Sequence, residues 1–262
     1  MNKQEPTKKS LLLSVSSVDT FKTCKAKWYY HYVKKLPTPK NYHLTAGSFI
    51  HKILEIFLKR YKKSKDLKDA ARVAFNLAIK DPELMEDLTK EIKLEGRDWL
   101  KEILKIYEDS PELVPNVLRI EAPFNFKLTD DISIRGFIDR IDSTEEDTIE
   151  IIDYKTNSNP DYLKPFQLIT YAIAMEKKYP KKKIKASYQL IRHGFKKKDV
   201  EITEQGKQNV IETFISAGSE ITNLMTTCPD TPWEATRSKL CSYCSFRIQC
   251  EKDNQSSNSW EV

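Results

Sequence analysis

Three consecutive segments rich in β-branched and aromatic residues constrain the fold of this chain more than any other feature. They span residues 117–126, 132–141 and 148–154, with turn residues between them, and they predict three successive strands. Helical spacing returns at 160–179, and residues 184–191 predict another strand. This order predicts an α/β fold with a central mixed β-sheet flanked by helices.

Apolar residues spaced three and four apart predict the other helices. They lie at 14–32, 46–61, twice between 67 and 107, and at 210–225. The two charged helices in the middle predict a helical elaboration at about 62–112. We expect one domain over residues 14–253, with flexible tails at 1–13 and 254–262.

Composition excludes two classes of protein. Hydrophobic residues make up 39% of the 262 residues, which is typical of a globular protein rather than a disordered one. No apolar run approaches the roughly 20 residues that cross a bilayer, so we expect no membrane contact. The Lys-rich start does not match a secretory signal, and we therefore expect a cytoplasmic location with reduced thiols.

Positive charge is concentrated in one stretch. The net charge is +6, but residues 177–198 contain ten Lys or Arg and no Asp or Glu, with aromatic residues interleaved. This pattern suits a surface that follows the phosphates of DNA. A solvated, Lys-rich helix end and loop is the alternative interpretation.

The second and third predicted strands form a hairpin that gathers charged groups. A polar turn about Glu145 and Glu146 places Asp139 roughly opposite Asp153, since both are nearly equidistant from the turn. Side chains alternate along a strand, so Asp153 and Lys155 share one face. The sequence therefore predicts two carboxylates and one ammonium group at one place.

Such a trio has a chemical use. Hard carboxylate oxygens bind Mg or Mn beside a scissile phosphate, while a lysine orients or activates the attacking water. For a D-x-K pattern alone, an ordinary cross-strand ion pair between Asp153 and Lys155 is the commoner explanation. Three further motifs accompany this one.

The four motifs together resemble those of the RecB-like nucleases within the PD-(D/E)XK superfamily, in order and in approximate spacing. They are Gly47-Ser-Phe-Ile-His51, Gly136-Phe-Ile-Asp139-Arg, Ile152-Asp153-Tyr-Lys155-Thr and Gln167-Leu-Ile-Thr-Tyr171. The resemblance implies a restriction-endonuclease-like core and a divalent-metal-dependent deoxyribonuclease.

The resemblance also implies a role for each polar residue of these motifs. The implied Mg or Mn ligands are His51, Asp139, Asp153 and the main-chain carbonyl of Tyr154. The implied catalytic residues are Asp139, Asp153 and Lys155. Gln167 and Tyr171 match a Q-x-x-x-Y motif that supports the site and contacts DNA.

Several neighbouring residues have open alternatives. His51 could be a satisfied residue at the boundary of the core, and Glu55 could orient its ring or be exposed. Glu121 could join the acidic cluster, although a solvated strand glutamate is the preferred interpretation. Asp142 is expected on the turn side of the hairpin.

The cysteines indicate a second inorganic site. Five cysteines in a reducing compartment argue against a disulfide framework and leave metal binding or burial. Cys241, Cys244 and Cys250 form a cysteine knuckle at 241–250, and Cys24 is the one remote partner outside it. Four thiolates suit either zinc or a 4Fe-4S cluster. Cys228 falls outside this pattern and is expected to be a small buried residue.

A cysteine knuckle with one remote cysteine resembles the iron-sulfur members of the RecB-like nucleases over about residues 14–250. These include CRISPR-associated RecB-type exonucleases and AddAB-type nuclease domains. The resemblance favours a 4Fe-4S cluster over zinc and implies an iron-sulfur knuckle that joins the N- and C-terminal regions.

The expected activity is that of an exonuclease on single-stranded DNA or DNA ends. The process would be DNA repair or recombination, CRISPR adaptation, or phage DNA processing. No G-x-x-x-x-G-K-[ST] motif occurs, so unwinding would need a helicase or another recombination, CRISPR or replication partner. The alternatives are a non-catalytic DNA- or partner-binding subunit and a zinc-stapled regulatory protein.

Overall fold

A computed structural model describes residues 10–39, 41–157, 159, 161 and 163–253. The α-helices are α1 Val15–Thr23, α2 Lys25–Trp28, α3 Tyr42–Ser64, α4 Leu67–Ala78, α5 Lys90–Asp109, α6 Phe166–Lys178, α7 Glu204–Thr227 and α8 Arg247–Asp253. The strands are β1 Leu11–Leu13, β2 Val117–Lys127, β3 Ile132–Glu145, β4 Thr148–Lys155, β5 Lys183–Leu190 and β6 Lys196–Asp199. No helix among the described residues is long and apolar enough to cross a bilayer.

The chain divides into two compact units. The first comprises Met1–Pro39, Asn125–Gly136 and Gln208–Val262, and the second comprises Lys40–Phe124 and Phe137–Lys207. The tails expected at residues 1–9 and 254–262 lie outside the described residues.

A mixed sheet forms the centre of the second unit, as the strand order predicts. β3 and β4 are antiparallel, with Arg140 opposite Ile152, and the strands meet at the expected turn between Glu145 and Thr148. β4 runs parallel to β5, and β5 is antiparallel to β6. The predicted mixed sheet is therefore confirmed.

Helices α3, α4 and α5 cover one face of β4. Ile152 and Tyr154 belong to the same buried apolar cluster as the inner residues of these helices. Gly96 lets α5 approach α3 closely, because a Cβ atom there would lie 2.5 Å from the ring of Phe49. Alternate residues of β4, Asp153 and Lys155, point to the other face and toward α6.

In the first unit, β1 pairs in parallel with the start of β3, with Leu11 opposite Ile132. The sequence predicts that residues 11–13 belong to a tail, whereas they form this strand. Gly218 of α7 gives room to the strand pair, since a Cβ atom there would lie 2.5 Å from Cδ1 of Ile132.

The helical segment that the sequence predicts at 14–32 is present, with one interruption. Cys24 has an extended backbone, with φ of −164°, and separates α1 from α2, which continues as a π-helical turn at Tyr29–Val33. Burial drives the break, because Trp28 stacks on Trp233 with ring centroids 5.2 Å apart and Phe21 meets both rings edge-on. The break leaves Cys24 at a helix end.

Candidate active site

The candidate site of the second unit is built from α3, β3 and β4. The carboxylate of Asp139 on β3 accepts a 2.7 Å hydrogen bond at Oδ2 from the backbone N–H of Tyr154 on β4. Nδ1 of His51 on α3 lies 3.5 Å from the same oxygen. The structure thus brings the predicted histidine and acidic strand residues together.

Lys155 and Asp153 connect to α6 through Gln167. The ammonium of Lys155 donates to Oε1 of Gln167 at 2.8 Å, and Nε2 of Gln167 donates to Asp153 Oδ1 and to the Tyr171 hydroxyl, each at 2.8 Å. The Lys155 nitrogen is also 2.7 Å from Asp153 Oδ2, so the two side chains form a close ion pair at this buried oxygen.

The electrostatics of these groups are strongly coupled. Burial and the charge of Asp139 together raise the pKa of Asp153 to about 6, against the opposing effect of Lys155. Burial lowers the pKa of His51, but the hydrogen bond and charge of Asp139 outweigh it and leave this pKa raised. A cation at this place would relieve the repulsion between the two carboxylates.

A cavity of about 440 Å³ opens beside Asp139 and His51. One face of α3 lines it, together with Glu121 of β2 and Thr156 just after β4. Gly47 permits the close approach of α3 to this strand end, because a Cβ atom there would lie 3.1 Å from Oγ1 of Thr156.

Glu121 lies in this cavity, contrary to the preferred interpretation of a solvated strand residue. Its φ of +48° is unusual for a residue with a Cβ atom, so the backbone is strained where this carboxylate enters the cavity. Burial and the charges of Asp139 and Glu55 together raise the pKa of Glu121 to about 7, against the opposing charges of His51 and Lys59. Glu55 itself pairs with Lys52 and Lys59, at 3.0 and 2.5 Å.

Asp142 is not the turn-side acid that the sequence predicts. It is 5% exposed and pairs at 3.0 Å with Arg140, which is 4% exposed. Strand β3 continues to Glu145, so Asp142 faces Glu150 within the sheet rather than the turn. A lone buried arginine would be costly, and Asp142 provides its counter-charge.

The basic stretch lies on the end of α6 and on β5 and β6. Several of its lysines pair with acids of the neighbouring hairpin, including Lys197 with Glu150 at 2.5 Å and Lys185 with Glu145 at 2.9 Å. Part of the positive charge is therefore balanced within the protein. DNA binding by the remainder stays a prediction.

The four predicted cluster cysteines line one small cavity of about 30 Å³ in the first unit. These residues are Cys24, Cys241, Cys244 and Cys250. Burial, together with the other three cysteines, raises the pKa of the Cys250 thiol to about 11. Cys228 is half-buried rather than buried and does not line this cavity.

In the described part of the chain, no group of three or more His, Cys, Asp or Glu is arranged to hold a metal ion. The donor chemistry nevertheless fits the implied groups. Two carboxylates and an imidazole suit Mg or Mn, and His51 Nδ1 and the Asp139 carboxylate already lie 3.5 Å apart. Four thiols around one cavity suit a tetrahedral sulfur site.

Comparison with known proteins connects nearly the whole described region to one family. The family model for the PD-(D/E)XK nuclease superfamily matches residues 12–251. A subunit of an ATP-dependent helicase/deoxyribonuclease from Streptococcus equi subsp. zooepidemicus is 31% identical over 189 residues, which cover 66% of this chain and 17% of the relative. The protein of the same name from Streptococcus agalactiae serotype Ia is 25% identical over 202 residues, covering 70% and 18%. The chain thus spans less than a fifth of these relatives.

A solved structure has the same fold. It is that of a candidate exonuclease from Eubacterium rectale, with a TM-score of 0.56 and 14% identity, and the match covers 89% of this chain and 86% of the other. At this identity the likeness concerns the fold alone.

Proposed function

The chain belongs to the PD-(D/E)XK nuclease superfamily, and on this basis we propose that it is a divalent-metal-dependent deoxyribonuclease. The observation that carries the proposal is the convergence of four charged groups. His51 approaches Asp139, the backbone of β4 binds Asp139, and Gln167 holds Lys155 and Asp153 together.

The residues that would hold Mg or Mn are His51, Asp139, Asp153 and the main-chain carbonyl of Tyr154. When bound, the ion supplies a Lewis acid that stabilises the charge developing on the phosphate.

The protein's own groups then position the reactants. Lys155, fixed by Gln167, is placed to orient the attacking water beside Asp153. Hydrolysis forms a bond between this water oxygen and phosphorus and breaks the bond to the leaving 3′ oxygen; the water loses a proton to solvent and the 3′ oxygen gains one from solvent, which leaves a 5′-phosphate and a 3′-hydroxyl. Tyr171 holds the Gln167 amide in place and, with Gln167, is proposed to contact the DNA.

The proposed substrate is single-stranded DNA or a DNA end, cut by an exonuclease. The streptococcal relatives carry the name of a helicase/deoxyribonuclease, which supports a DNA substrate and a helicase partner. The proposed setting is cytoplasmic DNA repair or recombination, with CRISPR adaptation and phage DNA processing as alternatives.

The four clustered cysteines are proposed to hold a 4Fe-4S cluster, with zinc as the alternative. Their common cavity supports a shared ligand. Such a ligand would connect Cys24 to the cysteine knuckle across most of the sequence and stabilise the first unit by restricting the unfolded chain.

Digestion of end-labelled single-stranded and duplex DNA, with free or blocked ends, tests the activity. Wild type should cut with Mg or Mn, while Asp153→Ala and Lys155→Ala should lose most of the activity. Lys101→Ala, which removes an exposed α5 lysine paired with Asp98, should cut normally. Full cutting by both site variants would remove these residues from the mechanism, and DNA binding without cutting by wild type would favour a non-catalytic role.

A further inference from the structure

Two arginines hold the end of β4 on either side of Lys155. Arg140 acts on the residue before it, since its Nη1 donates to the Tyr154 hydroxyl at 2.7 Å and its guanidinium lies 5.4 Å from the centroid of that ring. Arg192 acts on the residue after it, since its Nε donates to the Thr156 carbonyl at 2.6 Å. None of the four motifs includes Arg192, and the motif of Asp139 gives Arg140 no role.

The contact with Arg140 bears directly on the candidate active site. Tyr154 is bound at both ends, because its backbone N–H donates to Asp139 while its hydroxyl accepts from Arg140. Asp139 and Arg140 are consecutive strand residues and point to opposite faces. A shift of Arg140 would therefore move the peptide that fixes the Asp139 carboxylate.

Both arginines are supported by the same helix, α5. Burial raises the pKa of Tyr107 of α5, and the charge of the neighbouring Arg140 opposes this effect, so α5 places Tyr107 beside Arg140. Glu95 of α5 lies 2.7 Å from Nη2 of Arg192, and the guanidinium of Arg192 lies 4.9 Å from the centroid of the Trp99 ring. Helix α5 is thus connected through the two arginines to Tyr154 and Thr156, the residues on either side of Lys155.

Arginine suits this task because its planar guanidinium carries several donors in fixed directions. One side chain can bind a backbone carbonyl or a phenol and an acid at the same time, as Arg192 and Arg140 do here. Arg140 is 4% exposed, and burying a guanidinium is costly, so well-packed apolar residues in its place would stabilise the fold at least as well. The geometry therefore favours a role in positioning over a role in stability alone.

We propose that α5 positions the catalytic end of β4 through Arg140 and Arg192. The two arginines are positioning residues, which act through Tyr154 and Thr156 and do not touch the substrate. This inference rests on the proposed function, since it concerns the strand end that would supply the acidic ligands and the lysine. It turns the helical elaboration into part of the active-site framework.

Two conservative variants test the proposal. Tyr154→Phe keeps the ring and removes only the hydroxyl that accepts from Arg140. Arg192→Lys keeps the positive charge but removes the guanidinium, which contacts the Thr156 carbonyl and the Glu95 carboxylate at the same time. The control is Arg60→Lys, which alters a 2.6 Å ion pair with Asp69 between α3 and α4.

The readouts are Mn binding by calorimetry, kcat and KM on single-stranded DNA, and thermal unfolding to show that each variant is folded. We expect Tyr154→Phe and Arg192→Lys to weaken Mn binding about 10-fold, the lower end of effects seen when groups behind metal ligands are removed. kcat should fall with Mn affinity while KM for DNA stays unchanged. Tyr107→Phe, a milder change on α5, should weaken Mn binding in the same direction by less.

The two proposals fail in different ways. Wild type that neither binds Mn nor cuts DNA would overturn the proposed function together with this inference. Wild type that binds and cuts, with both folded variants matching it in Mn affinity and kcat, would overturn the inference alone. If Tyr154→Phe fails to fold, Arg192→Lys and Tyr107→Phe decide the outcome.

Discussion

Lys155 of β4 donates a 2.8 Å hydrogen bond to the side-chain oxygen of Gln167 on α6. The other end of the same amide donates to Asp153, so one neutral group fixes the relative positions of a cation and an anion. This relation joins the D-x-K strand to the Q-x-x-x-Y helix and accounts physically for the pairing of the two motifs.

Replacing Gln167 should therefore impair catalysis. Gln167→Ala leaves Lys155 and Asp153 without their common partner, and we expect kcat to fall at least about 10-fold. Steady-state kinetics on labelled single-stranded DNA measures the change. Tyr171→Phe, which removes one acceptor of the amide but neither charged contact, should lose much less; equal kcat values for wild type and Gln167→Ala would contradict the assigned role.

Glu121→Gln should stabilise the metal-free protein at neutral and higher pH. The folded-state pKa of Glu121 is raised to about 7 from 4.5, so its contribution to stability is fully present below 4.5 and is lost as pH rises through 7. Above pH 7 the variant should unfold a few degrees higher than wild type, and near pH 4 the difference should vanish. Thermal unfolding in chelator at several pH values measures this.

Glu55→Gln is the matched control for this experiment, because it lines the same cavity. Burial raises the pKa of Glu55, but hydrogen bonds from Lys59 and Lys52 outweigh it and leave the pKa lowered. Its contribution to stability is therefore present above its unfolded pKa, and the substitution should destabilise at neutral pH. If both variants changed the unfolding temperature in the same direction at neutral pH, the charges assigned to Glu121 and Glu55 would be wrong.

Mn affinity should rise with pH through the region near 6. Asp153, with a folded pKa raised to about 6, must lose its proton before it can bind a cation. Calorimetry at pH 6 in two buffers with different ionisation enthalpies should reveal protons released on binding by Asp153 and by His51, whose pKa is also raised, and at pH 8 Asp153 should release none. His51→Gln, which removes the imidazole, should leave the release from Asp153. An affinity that is flat between pH 5 and pH 8 would be inconsistent with Asp153 as a ligand.

Cys24→Ser should remove or destabilise the proposed cluster, whereas Cys228→Ser should leave it intact. Cys24 lines the cavity with the cysteine knuckle, and Cys228 does not. Iron, sulfide and zinc analysis of anaerobically purified protein gives the composition, and thermal unfolding gives the effect on stability. We expect Cys24→Ser to lower the free energy of unfolding by about 2 kcal/mol or more, because the metal closes a long loop of the chain. Equal metal content in the two variants would place the metal elsewhere.

The strand pattern and the hairpin could be predicted because burial imposes them locally. Every residue of β4 before Lys155 is buried. The strand therefore shows in the sequence as an apolar run that follows a polar turn, and Asp153 stands out as an acid within that run. The same holds for the apolar face of α3. The lysine-rich β6 could not be predicted, because all four of its residues are exposed and show no alternation of polar and apolar residues.

The missed site residues depend on contacts between distant parts of the sequence. Glu121 lies in the cavity because its backbone has a positive φ, and no pattern of residue types in the sequence predicts that conformation. Arg140 and Arg192 acquire their roles from Tyr107, Glu95 and Trp99 on α5, and helical periodicity predicts only that α5 exists. The break at Cys24 likewise follows from packing against Trp233, far along the chain.

The positions of the four cysteines in the sequence determine when their common site can form during translation. A ribosome releases Cys24 early and Cys250, on α8, at the end of the described chain, so the four thiols cannot meet until almost all of it has emerged. Tyr171, the last residue of the candidate active site, emerges well before α8. Any inorganic group at the cysteines must accordingly be inserted after translation of α8, by which time the nuclease site is already free to form.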